Sequence, residues 1–468
     1  MQDITSAPAS ELAAAIRERR VSSVEALEAH LAQIARHNPR LNAVVTLDEE
    51  EARLRARQAD LAVSRGEIWG PLHGVPMTLK DGHSTAGMRT TAGHPPLADY
   101  VPQQDGTVAA RLKEAGAIIM GKTNVSPLLL DIQSSNEIFG RTNNPYDTGR
   151  TPGGSSGGAA AALAVGMTPL EVGSDLAGSI RIPAHFCGVF GLKPTERLVS
   201  MHGHIPDVPG QVRTHRIMWS IGPLARNVED LDLALRIIAG PDGRDPDVPP
   251  VRLGEKRPAE VKRLRLAWTP TFPGVPVARS TEAALRRLAS NLASAGAILE
   301  EALPAVDFAD LSRTRTYLSR GVRLAFDPGT DEGPPPTLAE YYTALHRRDA
   351  FIAEWESFFT KWHALLCPVA MRAAFPHCPT DTPLDVDGET VSYWRMVGHT
   401  APFNFTGHPV AVVPVGQDED GLPIGVQIVG KRWHDIQLLS VAAAVTEVAG
   451  DWRRSSPLSV ERPPSPTP

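Results

Sequence analysis

The stretch TPGGSSGGAAAALA, residues 151–164, constrains this chain more than any other. Two serines sit among glycines at 153–158, and a strong helix former follows at once. That composition fits a solvated linker, a cradle for phosphate, or an active-site loop. The residues before and after it have to decide.

Two familiar patterns match the chain and fail on mechanism. Residues 116–123, GAIIMGKT, satisfy the phosphate-loop spacing. That loop must be flexible, with backbone N–H groups free to wrap phosphate, after a strand and before a helix. Here Ala117, Ile118, Ile119 and Met120 read as the strand itself, and the Asn124–Pro127 run is a poor helix start. The glycine-serine stretch also fits G-x-S-x-G, centred on Ser155 or Ser156. A nucleophile elbow needs a strand directly before its serine, and residues 143–152, NNPYDTGRTP, are turn formers.

The remainder of the chain reads as an α/β protein. Residues 10–37 suggest two amphipathic helices. Ser10–Glu11 would open the first, and Ser22 to Glu25 the second, as a capped start, with Leu27, Leu31 and Ile34 on one face. From about 70 onward, short apolar runs alternate with helix patterns. GVPMTLKD reads as a strand ending at Lys80–Asp81, Val108 to Ala115 as a helix, AIIMG as a buried strand, and Val165 to Val172 as a further strand. Residues 240–262 read as a connecting loop, 263–269 as the start of a strand, 281–296 as a helix and 308–362 as mostly helical. HALLCPV, HPVAVVPVG and IGVQIVG return to strands. Such alternation argues for helices packed around a sheet. Residues 1–455 are expected to form one domain, and 456–468, rich in proline and serine, a disordered tail.

Bulk properties exclude several classes. The chain has 468 residues, and its net charge of -6 comes from mixed signs, with no basic footprint for nucleic acid. Three cysteines, Cys187, Cys367 and Cys378, are too few for a disulfide framework and read as buried free thiols. No secretory leader or 18-residue apolar run is seen. The expectation is a cytoplasmic protein away from membranes.

Chemistry surfaces downstream of the opening stretch, in GSDLAGSIRIP. The run Leu176–Ala177–Gly178–Ser179 can present a row of backbone N–H groups beside a serine hydroxyl, which is what an oxyanion hole requires. Upstream, Lys80 ends an apolar strand. Desolvation favours its neutral amine, which can act as a base toward serine.

At this point the chain resembles the amidase signature family. The residues that carry the resemblance are GVPMTLKD (74–81), GKTN (121–124), FGRTNNPYD (139–147), PGGSSGGAAAALAVGMTPLEVGSDLAGSIRIPAHFCGVFGLKPT (152–195), SIGPLARNVEDL (220–231), and PFNFTGHPVAVVPVG with DGLPIGVQIVG within 402–430. It spans roughly residues 5–450. The resemblance implies a large twisted mixed central β-sheet surrounded by α-helices. It places the catalytic core at about 60–235 and 395–450, and a substrate-shaping region at about 240–395. It also implies a Ser–cisSer–Lys triad: Ser179 as nucleophile, Ser155 as bridging serine in a cis peptide with Gly154, and Lys80 as base. Leu176, Ala177, Gly178 and Ser179 correspond to the oxyanion N–H groups. Ser156, Asp175 and Arg181 correspond to supporting positions. Many family members carry Gly–Gly before the nucleophile where this chain has Ala177–Gly178. An alanine at positive φ would be strained.

The implied activity is hydrolysis of an amide, anilide or carbamate, with esters as further substrates, of the aryl-acylamidase or urethanase kind, without metal or cofactor. Leu128, Leu129, Leu130 and Ile132 are candidates for the substrate pocket. Among Tyr317, Tyr341, Tyr342, Phe351, Trp355, Phe358 and Trp394, most read as core and one or two as pocket. His202, His204 and Asp207 lack a convergent further ligand and read as loop residues. The alternative function is glutamine hydrolysis as the A-type component of a tRNA-dependent amidotransferase, from whose pattern residues 196–219 depart. The stand-alone reading implies a monomer or homodimer acting on a small molecule. A scaffold without catalysis fits poorly, because Lys80, Ser155 and Ser179 are all present.

Overall fold

A computed structural model describes residues 4–205, 216–326, 336–450, 452 and 458. Its centre is an eight-stranded sheet. The strand order is Ile298–Glu301, Arg265–Trp268, Ala364–Pro368, Pro423–Val429, Val410–Gln417, Phe190–Lys193, Ser220–Ala225 and Glu171–Asp175. Only the first three run parallel to one another; the other pairs are antiparallel. The sheet is therefore mixed and flanked by helices, as the alternation of patterns suggests. Its middle strands are buried along nearly their whole length, so they read as continuous apolar runs such as VAVVPV. Pro414, which lacks an N–H, coincides with the register shift in that strand pair.

The strand ending at Lys80 belongs to a different, three-stranded sheet. Pro76–Lys80 pairs in parallel with Ile118–Thr123, which pairs in turn with Val44–Leu47. The GKT of the rejected phosphate-loop match lies inside Ile118–Thr123, fully buried. Between the two sheets lies the alanine-rich helix Gly157–Ala164, with Ala159 to Leu163 entirely enclosed. Only side chains this small allow backbones on all sides to approach so closely. A solvated linker is thereby excluded.

Several boundaries differ from the sequence reading. The first helix is Ala9–Arg17 and is not capped by Ser10. Instead the Ala9 and Ser10 N–H groups donate to the Asp230 carboxylate, at 2.7 and 2.9 Å. A cap supplied from 220 residues away leaves no local signal. The second helix, Ser23–Leu41, does carry the capping box of Ser22 and Glu25. The strand expected at 165–172 begins later, at Glu171, because Gly166 turns the chain at φ +73° after the helix. The expected tail, 456–468, lies outside the described residues apart from Leu458.

Candidate active site

Lys80 closes its strand with no exposed surface, and its Nζ reaches across to the glycine-serine stretch. It donates to Ser155 Oγ at 2.8 Å, Ser156 Oγ at 2.8 Å, Ser174 Oγ at 3.0 Å and the Ser174 carbonyl at 3.3 Å. Burial pulls the amine down to about 7, and the charges of Asp175 and Glu171 hold back part of that fall. A lysine surrounded by hydroxyls, with no carboxylate among the described residues bonded to it, has neutral amine available near neutral pH. The peptide between Gly154 and Ser155 is cis. Gly154 packs so tightly under Ile132–Gln133 that a Cβ there would lie 2.6 Å from the Gln133 nitrogen. Glycine is required at that crossing. Ser155 is fully buried. The Ser156 N–H donates to the Ser179 carbonyl at 3.1 Å, which ties the two serine loops together.

Ser179 follows directly from the edge strand of the large sheet. Beyond the strand Glu171–Asp175, the chain turns through residues 176–179 and enters the short helix Arg181–Cys187. Asp175 and Arg181 anchor this turn as a fully buried ion pair, with Arg181 Nη2 2.8 Å from Asp175 Oδ1 and Nε 3.0 Å from Oδ2. Burial alone would raise the Asp175 carboxyl. The Arg181 guanidinium, aided by Asn404, overrides that and holds it well below the usual carboxylate range. Arg181 also donates to the Thr400 carbonyl, to Gln427 Oε1 and to Asn404 Oδ1. Every direction of its fork is thus satisfied, as a buried charge demands.

The four candidate oxyanion N–H groups are not equivalent. The Gly178 N–H donates to Asp175 Oδ1 at 2.8 Å. Those of Leu176, Ala177 and Ser179 take no acceptor among the described residues. Gly178 is therefore set apart from the expected group of four: its N–H is spent on holding the turn. It is also the residue at positive φ, +127°, with Thr400 Oγ1 2.6 Å from where a Cβ would stand. Ala177 has negative φ. The strain feared for alanine does not arise, since the left-handed residue is the glycine after it.

Ser179, Ala177, Gly178, Leu176 and Gly154 open onto a cavity of about 410 Å³. All four pocket candidates, Leu128, Leu129, Leu130 and Ile132, line it. Leu128 and Leu129 have φ of +51° and +64°, unusual for leucine. Of the seven aromatic residues singled out in the sequence, Trp394 alone lines the cavity. Phe351 and Trp355 are core, Tyr317 bonds to Glu340, and Tyr342 is exposed. Asp131, Trp219, Met218, Ile205, Val397, Arg315, Thr316 and Ser319 complete the wall and carried no sequence signal. His204 packs against His83 and Trp219, at 5.0 and 5.5 Å between ring centroids. No metal-binding cluster forms among the described residues, and Asp207 lies outside them. The cysteines are free thiols, with Cys187 and Cys367 buried.

The chain is similar along most of its length to known proteins. A sequence model described as Amidase matches residues 25–325 and 330–439. The A component of the glutamyl-tRNA(Gln) amidotransferase from Moorella thermoacetica is 34% identical over 97% of this chain and 98% of its own. An indoleacetamide hydrolase from Bradyrhizobium diazoefficiens is 34% identical, covering 94% of this chain and 86% of its own. The crystal structure of a bacterial aryl acylamidase of the amidase signature enzymes superposes with a TM-score of 0.82 at 25% identity, over 95% of this chain and 96% of that one.

Proposed function

This chain belongs to the amidase family, and we propose that it hydrolyses an amide, anilide or carbamate bond, with esters accepted as well, through an acyl-enzyme on Ser179. The observation that supports this most is the buried Lys80 amine, 2.8 Å from Ser155 Oγ, whose loop is joined to that of Ser179 in the lining of a largely apolar cavity. In this scheme neutral Lys80 takes the Ser155 proton, and Ser155 takes that of Ser179. The Ser179 oxygen bonds to the carbonyl carbon, and the carbonyl π pair moves onto oxygen. The N–H groups of Leu176, Ala177 and Ser179 stabilise that oxyanion. Collapse of the intermediate breaks the C–N bond. The leaving nitrogen takes a proton from Ser155, which Lys80 replaces. Water then repeats the relay and releases the acid. Lys80, Ser155 and Ser179 supply every proton transfer, so the scheme needs no cofactor.

The Leu-rich wall favours an aryl or alkyl group on the substrate, since such sites gain most from apolar burial. A second reading, glutamine hydrolysis within a tRNA-dependent amidotransferase complex, draws on the 34% identity to the Moorella protein. A panel of 4-nitroacetanilide, an aliphatic amide, an aryl carbamate and glutamine, assayed at about pH 8, separates the two. Anilide or carbamate turnover that vanishes in Ser179→Ala supports the first. Turnover of glutamine alone, with a hetero-complex on gel filtration, supports the second.

A further inference from the structure

Arg315 lies on the helix Phe308–Phe326 and lines the same cavity as the leucines. The other charged residue of that wall, Asp131, is fully engaged. It accepts from the Tyr393 hydroxyl, from the Thr380 hydroxyl and from the Ile132 N–H. Arg315 differs: among the described residues it has no hydrogen bond and no ion pair. A partly buried guanidinium with five donors is costly in an apolar wall unless acceptors reach it, and none among the described residues does. Burial pushes its pKa down, and no carboxylate among the described residues counters it. From the same helix, Thr316 and Ser319 add hydroxyls to the cavity lining. Residues 315 and 319 are one turn apart, so Arg315 and Ser319 form a polar corner in a chamber whose lining includes Leu128, Leu129, Ile205 and Trp394.

We propose that Arg315 recognises a carboxylate on the substrate, so that the preferred substrates are amides whose apolar body ends in an acid group. This rests on the hydrolase reading above. The planar guanidinium fork matches a carboxylate bidentately, and a site that excludes water strengthens the pairing. The leucines and Trp394 would hold the apolar body, and Ser179 would face the scissile carbonyl.

Two matched pairs of compounds test this: N-(4-nitrophenyl)succinamic acid against 4-nitrobutyranilide, and 4-acetamidobenzoate against 4-methylacetanilide. The acid sits on the acyl side in the first pair and on the amine side in the second. Affinities are measured by titration calorimetry in the full-length Ser179→Ala protein, which keeps binding separate from turnover. The expected result is an anionic-to-neutral affinity ratio of about tenfold or more in at least one pair, the effect of one charge-assisted contact. That ratio falls to about one when Arg315→Gln is added and is partly restored by Arg315→Lys. A ratio near one in both pairs, or a ratio that survives Arg315→Gln, overturns the proposal. Hydrolysis by wild-type protein is measured in parallel. Loss of hydrolysis with an intact ratio counts against the Ser179 reaction alone; hydrolysis with a ratio near one counts against Arg315 alone.

Discussion

Lys80 Nζ stands 2.8 Å from both Ser155 Oγ and Ser156 Oγ, at the end of a strand of the smaller sheet, whereas Ser179 follows a strand of the larger one. The lysine therefore meets the serines from a separate layer, and the site exists only when the two sheets are packed together.

The first prediction concerns pH. Burial brings the Lys80 pKa down to about 7. The base form is the neutral amine, so kcat/KM should rise as pH increases through about 7 and level off above it. Activity falls at lower pH because the amine is protonated. A pH profile of anilide hydrolysis from about pH 5 to 10 checks this. A limb that declines through the same range would contradict it. Lys80→Ala should lower kcat by roughly 10³-fold or more, without a matching loss of Tm.

Asp175→Asn should destabilise the protein by about 3–5 kcal/mol, since it leaves the buried Arg181 charge unpaired. The same change weakens the acceptor for the Gly178 N–H. The Asp175 pKa is depressed in the fold, so its stabilisation is present above the usual carboxylate value of 3.8 and is lost as pH falls through the lower folded value. Urea unfolding at neutral and acid pH measures both effects. The gap between wild type and Asp175→Asn should narrow toward the acid end.

Gly178→Ala and Ala177→Gly should behave oppositely. A Cβ at 178 would stand 2.6 Å from Thr400 Oγ1 and 2.9 Å from Ile182 Cδ1, at a φ of +127°. The turn would have to shift, at a cost of about 1–3 kcal/mol, and kcat should drop by roughly 10²-fold as the 176–179 N–H groups move. Ala177→Gly asks for no such change and should keep kcat within about threefold. Steady-state kinetics on one anilide decides the matter, and comparable losses in both variants would count against the assigned roles.

Leu129→Asp should raise KM for an apolar anilide by about tenfold or more while changing kcat less, because it removes apolar contact without touching Lys80 or the serines. An unchanged KM would show that the substrate does not lie against this wall.

The residues of the site that share a short stretch were readable in the sequence. Ser155, Ser156, Asp175, Ser179 and Arg181 fall within 27 positions; glycines and small residues mark the tight turns there, and the family resemblance picks out Ser156, Asp175 and Arg181. Lys80 was legible from its place at the end of an apolar run. What could not be read is whatever packing brings from afar. Asn404 reaches Asp175 across 229 residues, and Thr400 closes on Ala177 across 223. Arg315 and Trp219 belong to segments whose sequence gives only helix and strand patterns. The edge strand Ile298–Glu301 escaped notice because most of it is exposed and half of it is glutamate. The strand of Lys80 was recognised, but nothing local says which sheet it joins.

The central claim is that Ser179 carries the acyl group. Its most direct test is to mix the protein with 4-nitrophenyl acetate, quench in acid within the first turnovers, and map the added acetyl mass by peptide mass spectrometry. A single acetyl group on the peptide containing Ser179, absent from Ser179→Ala, is the expected result. Turnover with the acetyl group on Ser155, Ser156 or a histidine, or turnover that survives in Ser179→Ala, would contradict it.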